Sequence, residues 1–463
     1  MDYLPGHLLD RAFQRLSRRT LHERLCAVRA LSHVRGLRYL TDAGQSRVID
    51  LSLKPWLLTS AQLLAFHQSM RLLSEALLKL PALHAADPKV RALIRFDPAR
   101  AEWLALARHP SSRPWAVMGR LDSTATYHRA GWRREFRMLE PNTVGIGGVY
   151  YAPTACSIVM DAAGDLLTQA LPGRVITPTP DPRQLLADEL TAVAARLGRP
   201  LRGVALIENT DFTTGTDEFA GLAADLNRRG IPAVVADPRD LRTGRRGLTA
   251  KGRPVDLLYR DCELAEFTAM EARGARLTAL RQAVREGRLV SGLTWEFDQK
   301  SAWEIFTDAC YAKHFTATQH RFFREHVLWT RLVRQACVTD PSGRMVDLPA
   351  YIRRHQRRLV LKPNNLFGGE GVTIGPAVSH HEWDRQLAQA LRGRQPYVVQ
   401  ALAEVHEETL PLLVDGKPRL VERSTVSGFF FTSGGIGLIG RFSPHTVVNV
   451  SQGGGLIAAF WVH

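Results

Sequence analysis

Cysteines, lysines and long apolar runs are all scarce in this chain of 463 residues. The five cysteines are scattered, with no Cys-x-x-Cys pair and no histidine at metal-ligand spacing, so we exclude a zinc motif and a disulfide framework and expect reduced thiols. No apolar run reaches the ~18 residues that span a bilayer. The N-terminus also lacks the basic and apolar segments of a secretory signal. We therefore expect a soluble, cytoplasmic protein with no membrane partner.

Acidic side chains are in the minority: 45 Asp and Glu stand against 61 Lys and Arg, for a formal net charge of +16. Only eight of the basic residues are lysine, and the arginines are spread along the whole chain. The local clusters at 242–246 and 353–358 are not interleaved with aromatic residues, as a base-stacking platform would be. We interpret the basic surface as a solvated face rather than a specific nucleic-acid site. Its field still favours anionic ligands such as ATP, or an acidic carrier protein.

The length of the chain predicts two or three domains. Helical spacing of apolar residues predicts a helical N-terminal region over 1–107. Strands alternate with helices over 201–293, where a long helix is expected at 263–287, and this alternation predicts a small doubly wound α/β domain. The flanking segments, 108–200 and 294–463, carry the motifs that bear chemistry. The predicted fold class is therefore mixed, α+β with an α/β part.

The stretch 358–375, R-L-V-L-K-P-N-N-L-F-G-G-E-G-V-T-I-G, has the most specific local chemistry. A short apolar strand ends at Lys362, and a second β-rich run follows the glycines Gly368, Gly369 and Gly371. Glycines let backbone N–H groups approach an anion closely, and a lysine adds positive charge. The loop lies between two strands and lacks Gly-Lys-Ser/Thr, so it is not a Walker loop. It predicts a polyphosphate-binding hairpin, with an ordinary Gly-rich hairpin as the alternative.

Two further predicted strands, 116–122 and 135–142, carry polar residues at alternate positions. Since residues i and i+2 share a face of a strand, Arg120 lies with Asp122, and Glu140 lies with Asn142. Carboxylate and amide oxygens are ligands that suit Mg²⁺. A surface Arg–Asp pair followed by a turn asparagine would give the same pattern.

Lys300 lies at the start of a predicted apolar helix. A lysine there is disfavoured by the helix dipole, so a bound anion would compensate it; an exposed lysine is the alternative. A later strand, 397–400, ends at Gln400.

Six pieces of the sequence, taken in chain order, resemble the circularly permuted ATP-grasp ligases. They are Arg120-x-Asp122, Glu140-x-Asn142, the run V-D-L-L-Y-R at 255–260, Gln299-Lys300, Lys362-Pro363 with the glycine loop, and a C-terminal motif of Asn449-Val450-Ser451 followed by Gly453, Gly454 and Gly455. This group includes the synthetase part of glutathionylspermidine synthase. The carboxylates precede the lysines, which is the permuted order. The resemblance covers roughly residue 115 to the C-terminus. It implies a circularly permuted ATP-grasp core made of 108–200 and 294–463, beside the α/β domain and the helical N-terminal region.

The resemblance also implies ATP and Mg²⁺ as cofactors. Asp122, Glu140 and Asn142 would hold the metal. Lys300 and Lys362 would hold phosphates beneath the loop of Gly368, Gly369 and Gly371, and Gln400 would belong to the nucleotide site. Arg120, Glu140 and Lys362 would take part in catalysis.

The implied activity is that of a ligase that activates a carboxylate as an acylphosphate and joins it to an amine. Small-molecule or peptide acids and amines are the expected substrates, and the sequence does not identify them. A catalytically inactive, nucleotide-binding interaction protein of ATP-grasp type is the second hypothesis. An arginine-rich nucleic-acid binder is the third.

Overall fold

The structure is a computed structural model. It describes residues 5–41, 44–107, 118–124, 127, 131–211, 215–245, 247–366, 369–445, 448 and 453–463, with the backbone alone at 215–216.

The α-helices are numbered in chain order. They are α1 Gly6–Gln14, α2 Arg18–Val34, α3 Ser60–Leu77, α4 Leu80–Ala86, α5 Pro88–Leu93, α6 Pro98–Leu106, α7 Trp132–Glu135, α8 Tyr151–Ala170, α9 Pro182–Arg196, α10 Phe219–Arg228, α11 Leu264–Ala272, α12 Thr278–Arg285, α13 Ala302–Thr307, α14 Ala317–His326, α15 Leu348–Arg354 and α16 His380–Arg392.

The strands are numbered in the same way. They are β1 Arg38–Leu40, β2 Ser46–Val48, β3 Asp50–Leu51, β4 Trp56–Thr59, β5 Gly119–Thr124, β6 Arg137–Asn142, β7 Ile176–Pro178, β8 Val204–Ile207, β9 Gly215–Thr216, β10 Ala233–Ala236, β11 Leu241–Gly244, β12 Gly247–Ala250, β13 Arg253–Pro254, β14 Leu257–Arg260, β15 Thr330–Leu332, β16 Cys337–Thr339, β17 Met345–Asp347, β18 Leu359–Pro363, β19 Thr373–Ile374, β20 Tyr397–Ala401, β21 His406–Val414, β22 Lys417–Phe431, β23 Ile436–Ser443, β24 Gly455–Ile457 and β25 Ala459–Val462.

The largest sheet in the described residues has seven strands, in the order β3-β24-β23-β22-β5-β6, with β21 added along β22. Strand β22 is long enough to pair with β21 through its first half and with β5 and β23 through its second half. Strand β6 lies at the edge, which explains how it accommodates Pro141, because proline has no backbone N–H to donate and is tolerated mainly on edge strands.

A second, antiparallel sheet has the order β15-β20-β18-β19. Strands β18 and β19 are the two apolar runs predicted on either side of the glycine loop, and they pair directly. The side chain of Gln400 on β20 donates to the carbonyl of Leu139 on β6 at 3.0 Å. The two sheets therefore meet at the edge strand of the larger one.

The segment 201–293 contains a parallel sheet of order β10-β8-β14, as its alternating pattern predicts. The predicted long helix over 263–287 is wrong. The chain forms α11 and α12 instead, and Gly274 between them has a φ of +92°. That left-handed conformation ends a helix and is easily adopted only by glycine.

The N-terminal region is mostly helical, as predicted, and α3 shows why. Thr59 caps it with its hydroxyl on the N–H of Gln62, whose side chain accepts from Thr59 in return. The same helix buries Phe66, Met70 and Leu73 at helical spacing. The helical prediction is wrong for the strands between α2 and α3. Two of these, β3 and β4, pair in parallel with β24 and β25 from the C-terminus.

Two predicted strand boundaries also need correction. Residues 116–117 of the first strand lie outside the described residues, and β5 begins at Gly119. The second strand begins at Arg137 rather than at 135, because Glu135 ends the short helix α7. The predicted domain boundaries stay predictions. In the part of the chain that is described, no helix has the length and apolar character needed to cross a membrane.

Candidate functional site

One face of the large sheet gathers the polar residues of the two predicted strands. The register of β5 with β6 pairs Arg120 with Asn142 and Asp122 with Glu140. Directly opposed residues in an antiparallel pair point to the same face. All four side chains therefore share one face, and the predicted adjacency is confirmed. Their predicted roles in metal binding and catalysis stay predictions.

Asp122 holds two guanidinium groups on this face. Its Oδ1 accepts from Nε of Arg120 at 3.0 Å, and its Oδ2 lies 2.7 Å from Nη2 of Arg441. The amide nitrogen of Asn142 also donates to Oδ2, at 3.1 Å. Burial alone would raise the pKa of Asp122, but the charges and hydrogen bonds of Arg120 and Arg441 outweigh it and hold that pKa below its ordinary value. Asp122 is therefore a buried anion that orients two cations.

The pair of Arg441 and Asp122 crosses over the central strand β22, because they lie on the strands that flank it. Gly428 of β22 is opposite Asp122 in the register. A Cβ at Gly428 would lie 2.8 Å from Cδ of Arg120 and 3.2 Å from Oδ1 of Asp122. The missing side chain thus leaves room for the arginine–carboxylate cluster.

The second sheet brings Lys362 and Gln400 to the same place. Nζ of Lys362 donates to Oε1 of Gln400 at 2.8 Å, and Gln400 is nearly fully buried. Burial lowers the pKa of Lys362, while the charges of Glu140 and Asp122 raise it and that of Lys300 lowers it further. The side chain of Gln400 also donates to the carbonyl of Leu139 on β6, next to Glu140, so Lys362 lies beside the edge of the large sheet.

Lys300 joins the two halves of the site. Its Nζ lies 3.5 Å from Oε2 of Glu140 and donates to the carbonyl of Leu366 at 2.7 Å. Lys300 precedes the N-cap of α13 rather than lying within a helix. The residues on either side of Lys300 are hydrogen-bonded to Asn364, which lies just after Lys362. The side chain of Asn364 accepts from the N–H of Ser301 and donates to Oε1 of Gln299.

The glycine loop follows that segment. Gly369 and Gly371 have φ values of +78° and +67°, a conformation that favours glycine. A Cβ at Gly371 would lie 2.8 Å from the ring of Pro363, so the loop folds back onto the end of β18. Gly368 lies outside the described residues, as do Asn449 and Ser451 of the C-terminal motif.

A group of carboxyl groups was missed by sequence reasoning; Glu218 is buried, and the other three are half-buried. Burial raises the pKa of Glu218 and of Asp261 to about 7, and both groups feel the charge of Arg120. Burial likewise raises the pKa of Glu263 to about 9 and that of Asp298 to about 6. The chain places these residues on three separate segments, so no local spacing could have revealed the group. Arg441 was missed as a site residue for the same reason.

The predicted metal set contains two carboxylates and one amide oxygen. In the described part of the chain, no cluster of three or more His, Cys, Asp or Glu side chains is arranged to hold a metal. Glu140 and Asn142 fit Mg²⁺ by the chemistry of their oxygens. Asp122 fits less well, because both of its oxygens already accept from side-chain donors.

No protein-family model matches the chain. No curated protein matches it either. Among solved structures, the apo form of a glutathione synthetase-like effector from Globodera pallida is similar, with a TM-score of 0.62 and 11% sequence identity over 96% of this chain and 98% of that one. A candidate gamma-glutamylcysteine synthetase from Methylobacillus flagellatus aligns over 82% of this chain and 84% of its own, at 11% identity and a TM-score of 0.36, too low to support an argument.

The first of these similarities shows that nearly the whole chain shares the fold of a glutathione synthetase-like protein. The predicted mixed α+β class is confirmed by the sheets and helices of the structure. The ATP-grasp core and its circular permutation stay predictions.

Proposed function

We propose that this protein is an ATP- and Mg²⁺-dependent ligase that joins a carboxylate to an amine through an acylphosphate. The observation that carries the proposal is the convergence of Arg120, Asp122 and Glu140 with Lys300 and Lys362. These residues come from two sheets and one loop. Arg120 pairs with Asp122 and Lys300 with Glu140, and the charges of Glu140 and Asp122 act on Lys362. The similarity in fold to a glutathione synthetase-like protein supports the same class of reaction.

Charge complementarity determines what the site binds. Lys300 and Lys362 offer two ammonium groups next to the loop of Gly369 and Gly371, as a polyphosphate requires. Arg120 and Arg441 add two guanidinium groups, which stabilise charge on a transferring phosphoryl group. Phosphoryl transfer needs little covalent help from a protein, so positioned cations are sufficient machinery.

The proposed reaction has two steps. An oxygen of the substrate carboxylate attacks the γ-phosphorus of ATP, and ADP leaves, which produces an acylphosphate. The amine nitrogen then attacks the carbonyl carbon, loses a proton, and inorganic phosphate leaves as the amide bond forms. The buried position of Asp122 keeps Arg120 and Arg441 in place for the first step.

Mg²⁺ would be held by Glu140 and Asn142, with Asp122 as the third predicted ligand, and when bound it would neutralise charge on the phosphate oxygens. Gln400 fixes the ammonium of Lys362 at the nucleotide side of the site.

The test is a matrix of carboxylic acids and amines, each pair incubated with Mg-ATP and assayed for ADP release. We expect one class of pairs to raise ADP release well above either substrate alone and to yield the amide by mass spectrometry. Nucleotide binding without ADP release for any pair would instead favour the inactive, nucleotide-binding hypothesis. A folded protein that binds no Mg-ATP would contradict both.

A further inference from the structure

The peptide group between Gly147 and Gly148 links the arginine cluster to a carboxylate outside it. Its carbonyl oxygen accepts from Nη1 of Arg120 at 2.6 Å. Its N–H, on Gly148, donates to Oε1 of Glu218 at 2.7 Å. Because a peptide group is planar and rigid, these two contacts are fixed relative to each other.

Glu218 has both oxygens committed to this segment. Its Oε2 accepts from the N–H of Tyr150 at 2.9 Å, and the residue is only 3% exposed. Among the described residues, no lysine, arginine or histidine lies within ion-pair distance of Glu218. A buried carboxylate is costly unless its charge is compensated. Here the compensation comes from two backbone amides and, through one peptide group, from the guanidinium of Arg120.

The loop over 143–150 is confined from both sides. Gly148 has a φ of +104°, and a Cβ there would lie 3.1 Å from Ile439 and Phe430 of the large sheet. On the other side, the ring of Tyr150 packs over Gly221 of α10, where a Cβ would lie 2.7 Å from the ring. Packing on both sides therefore restricts the loop, and its hydrogen bonds to Glu218 restrict it further.

We propose that Glu218 is a positioning residue, whose carboxylate holds the 147–148 peptide so that its carbonyl fixes Arg120 beside Asp122. This inference rests on the proposed function for its catalytic consequence. The negative charge of Glu218 polarises the N–H, which makes the carbonyl of the same peptide a stronger acceptor for Arg120. Neutralising Glu218 weakens the acceptor and loosens the loop. The guanidinium then loses one of its two anchors.

The state of this link depends on pH. Burial raises the pKa of Glu218 to about 7; the amides of Tyr150 and Gly148 lower it, Asp261 raises it, and Arg120 lowers it. The titratable and charged groups around Glu218 are Arg120 on β5, Tyr151 on α8, Tyr259 on β14, Asp261 after β14, and the adjacent Asp217. The two backbone amides lower the pKa of Glu218 because they bind the ionised carboxylate more strongly than the protonated one. The ionised form therefore holds the peptide, and turnover should be full above pH about 7 and fall below it.

The test compares Glu218→Gln with Asp217→Asn, which removes the same charge from the adjacent, exposed residue. Steady-state kinetics across this pH range and hydrogen exchange of the segment 143–150 are measured in both. In Glu218→Gln we expect kcat to fall ~10- to 100-fold, as for a misplaced catalytic group, with little change in KM for ATP. The drop in activity near neutral pH should disappear in this variant. Asp261, whose pKa is also raised to about 7, is still present in it and should not restore the drop. Exchange over 143–150 should accelerate, and Asp217→Asn should behave as the wild type.

A folded Glu218→Gln protein with wild-type kcat, pH profile and exchange would overturn the inference. If that variant does not fold, Glu218→Asp replaces it, which keeps the charge but shortens the side chain. Hydrogen exchange of the wild type above and below neutral pH then tests the role of Glu218. Exchange over 143–150, corrected for intrinsic rates, must then be faster in acid. If the wild type releases no ADP with any substrate pair, the proposed function fails, and the exchange comparison alone decides the role of Glu218.

Discussion

Asp122 and Glu140 are opposed in the register of the large sheet but have different surroundings. Asp122 is surrounded by Arg120, Arg441 and the amide of Asn142. Glu140 instead lies 3.5 Å from Nζ of Lys300, which comes from outside the sheet. We infer that Asp122 mainly orients the arginines, while Glu140 is the carboxylate that meets the nucleotide and its metal.

At the residue scale, Glu140→Gln should separate catalysis from binding. The change preserves shape and removes one negative charge, so Mg²⁺ should be held poorly and ADP formation should fall by roughly two orders of magnitude or more, ~3 kcal/mol. Nucleotide should still bind, more weakly, because Lys300, Lys362 and the glycine loop are unchanged. ADP release and nucleotide affinity are measured in the same protein.

The matched control for Glu140→Gln is Glu407→Gln, which removes a charge from an exposed strand position on β21. Glu135 is unsuitable, since it ends α7 and lies 3.4 Å from His406 rather than on the opposite face of β6. Equal loss of turnover in both variants would mean that the metal site is misplaced.

Site residues that lie close together in the sequence could be predicted to be neighbours, and those that lie far apart could not. Alternation within a strand was enough to place Arg120 with Asp122 and Glu140 with Asn142. Arg441 reaches the same carboxylate across β22, and this contact depends on the register of three strands, which no local pattern encodes.

At the element scale, the central strand β22 carries a glycine for a specific steric reason. Gly428→Ala would place a methyl group 2.8 Å from Cδ of Arg120, and the flexible arginine would have to move. We expect turnover to fall ~10- to 100-fold while the melting temperature changes little. Gly434→Ala, in the turn after β22, is the control, because its nearest neighbour would be 3.8 Å away. Activity retained in Gly428→Ala would show that the position of Arg120 is unimportant.

Helices and strands could be predicted where the apolar spacing and the residues that end an element, such as glycine and proline, agreed. The strands around the glycine loop and the parallel strands of the α/β part are examples. The helix expected over 263–287 failed because its apolar spacing continues on both sides of Gly274, which divides it. Strands β3 and β4 are short, and their partners lie at the other end of the chain.

At the scale of the whole molecule, the carboxyl groups whose pKa is raised in the fold should make stability depend on pH. Because the pKa of Glu263 is raised to about 9 in the fold, the folded protein retains a proton that the unfolded chain has already released. Stability should therefore fall as pH rises from about 4.5, the ordinary value, toward 9. Glu263→Gln cannot ionise, so it should be more stable than the wild type at alkaline pH by ~1 kcal/mol or more.

Melting temperatures of the wild type, Glu263→Gln and Glu404→Gln across this pH range provide the measurement. Glu404 is exposed, so its substitution should leave the profile unchanged. A wild-type melting temperature that rises with pH through this window would contradict the raised pKa of Glu263.

Mg-ATP should stabilise the whole fold by mass action. At about 100 times its dissociation constant, a ligand that binds only the folded state adds roughly 2.7 kcal/mol, which is visible as an upward shift of the melting temperature. Lys362→Met should show a much smaller shift, since it removes the half-buried ammonium next to Gln400. An equal shift in both proteins would place the nucleotide elsewhere.

The most direct test of the proposed ligase is the path of a labelled oxygen. With an acid identified in the substrate matrix, both carboxylate oxygens are replaced by the heavy isotope, and the inorganic phosphate released with ADP is analysed by mass spectrometry. The acylphosphate route predicts that the phosphate carries a heavy oxygen, because the amine displaces phosphate together with the oxygen that attacked ATP. Amide formed with unlabelled phosphate would contradict the route, and ADP released without any acid would identify a simple nucleotide hydrolase.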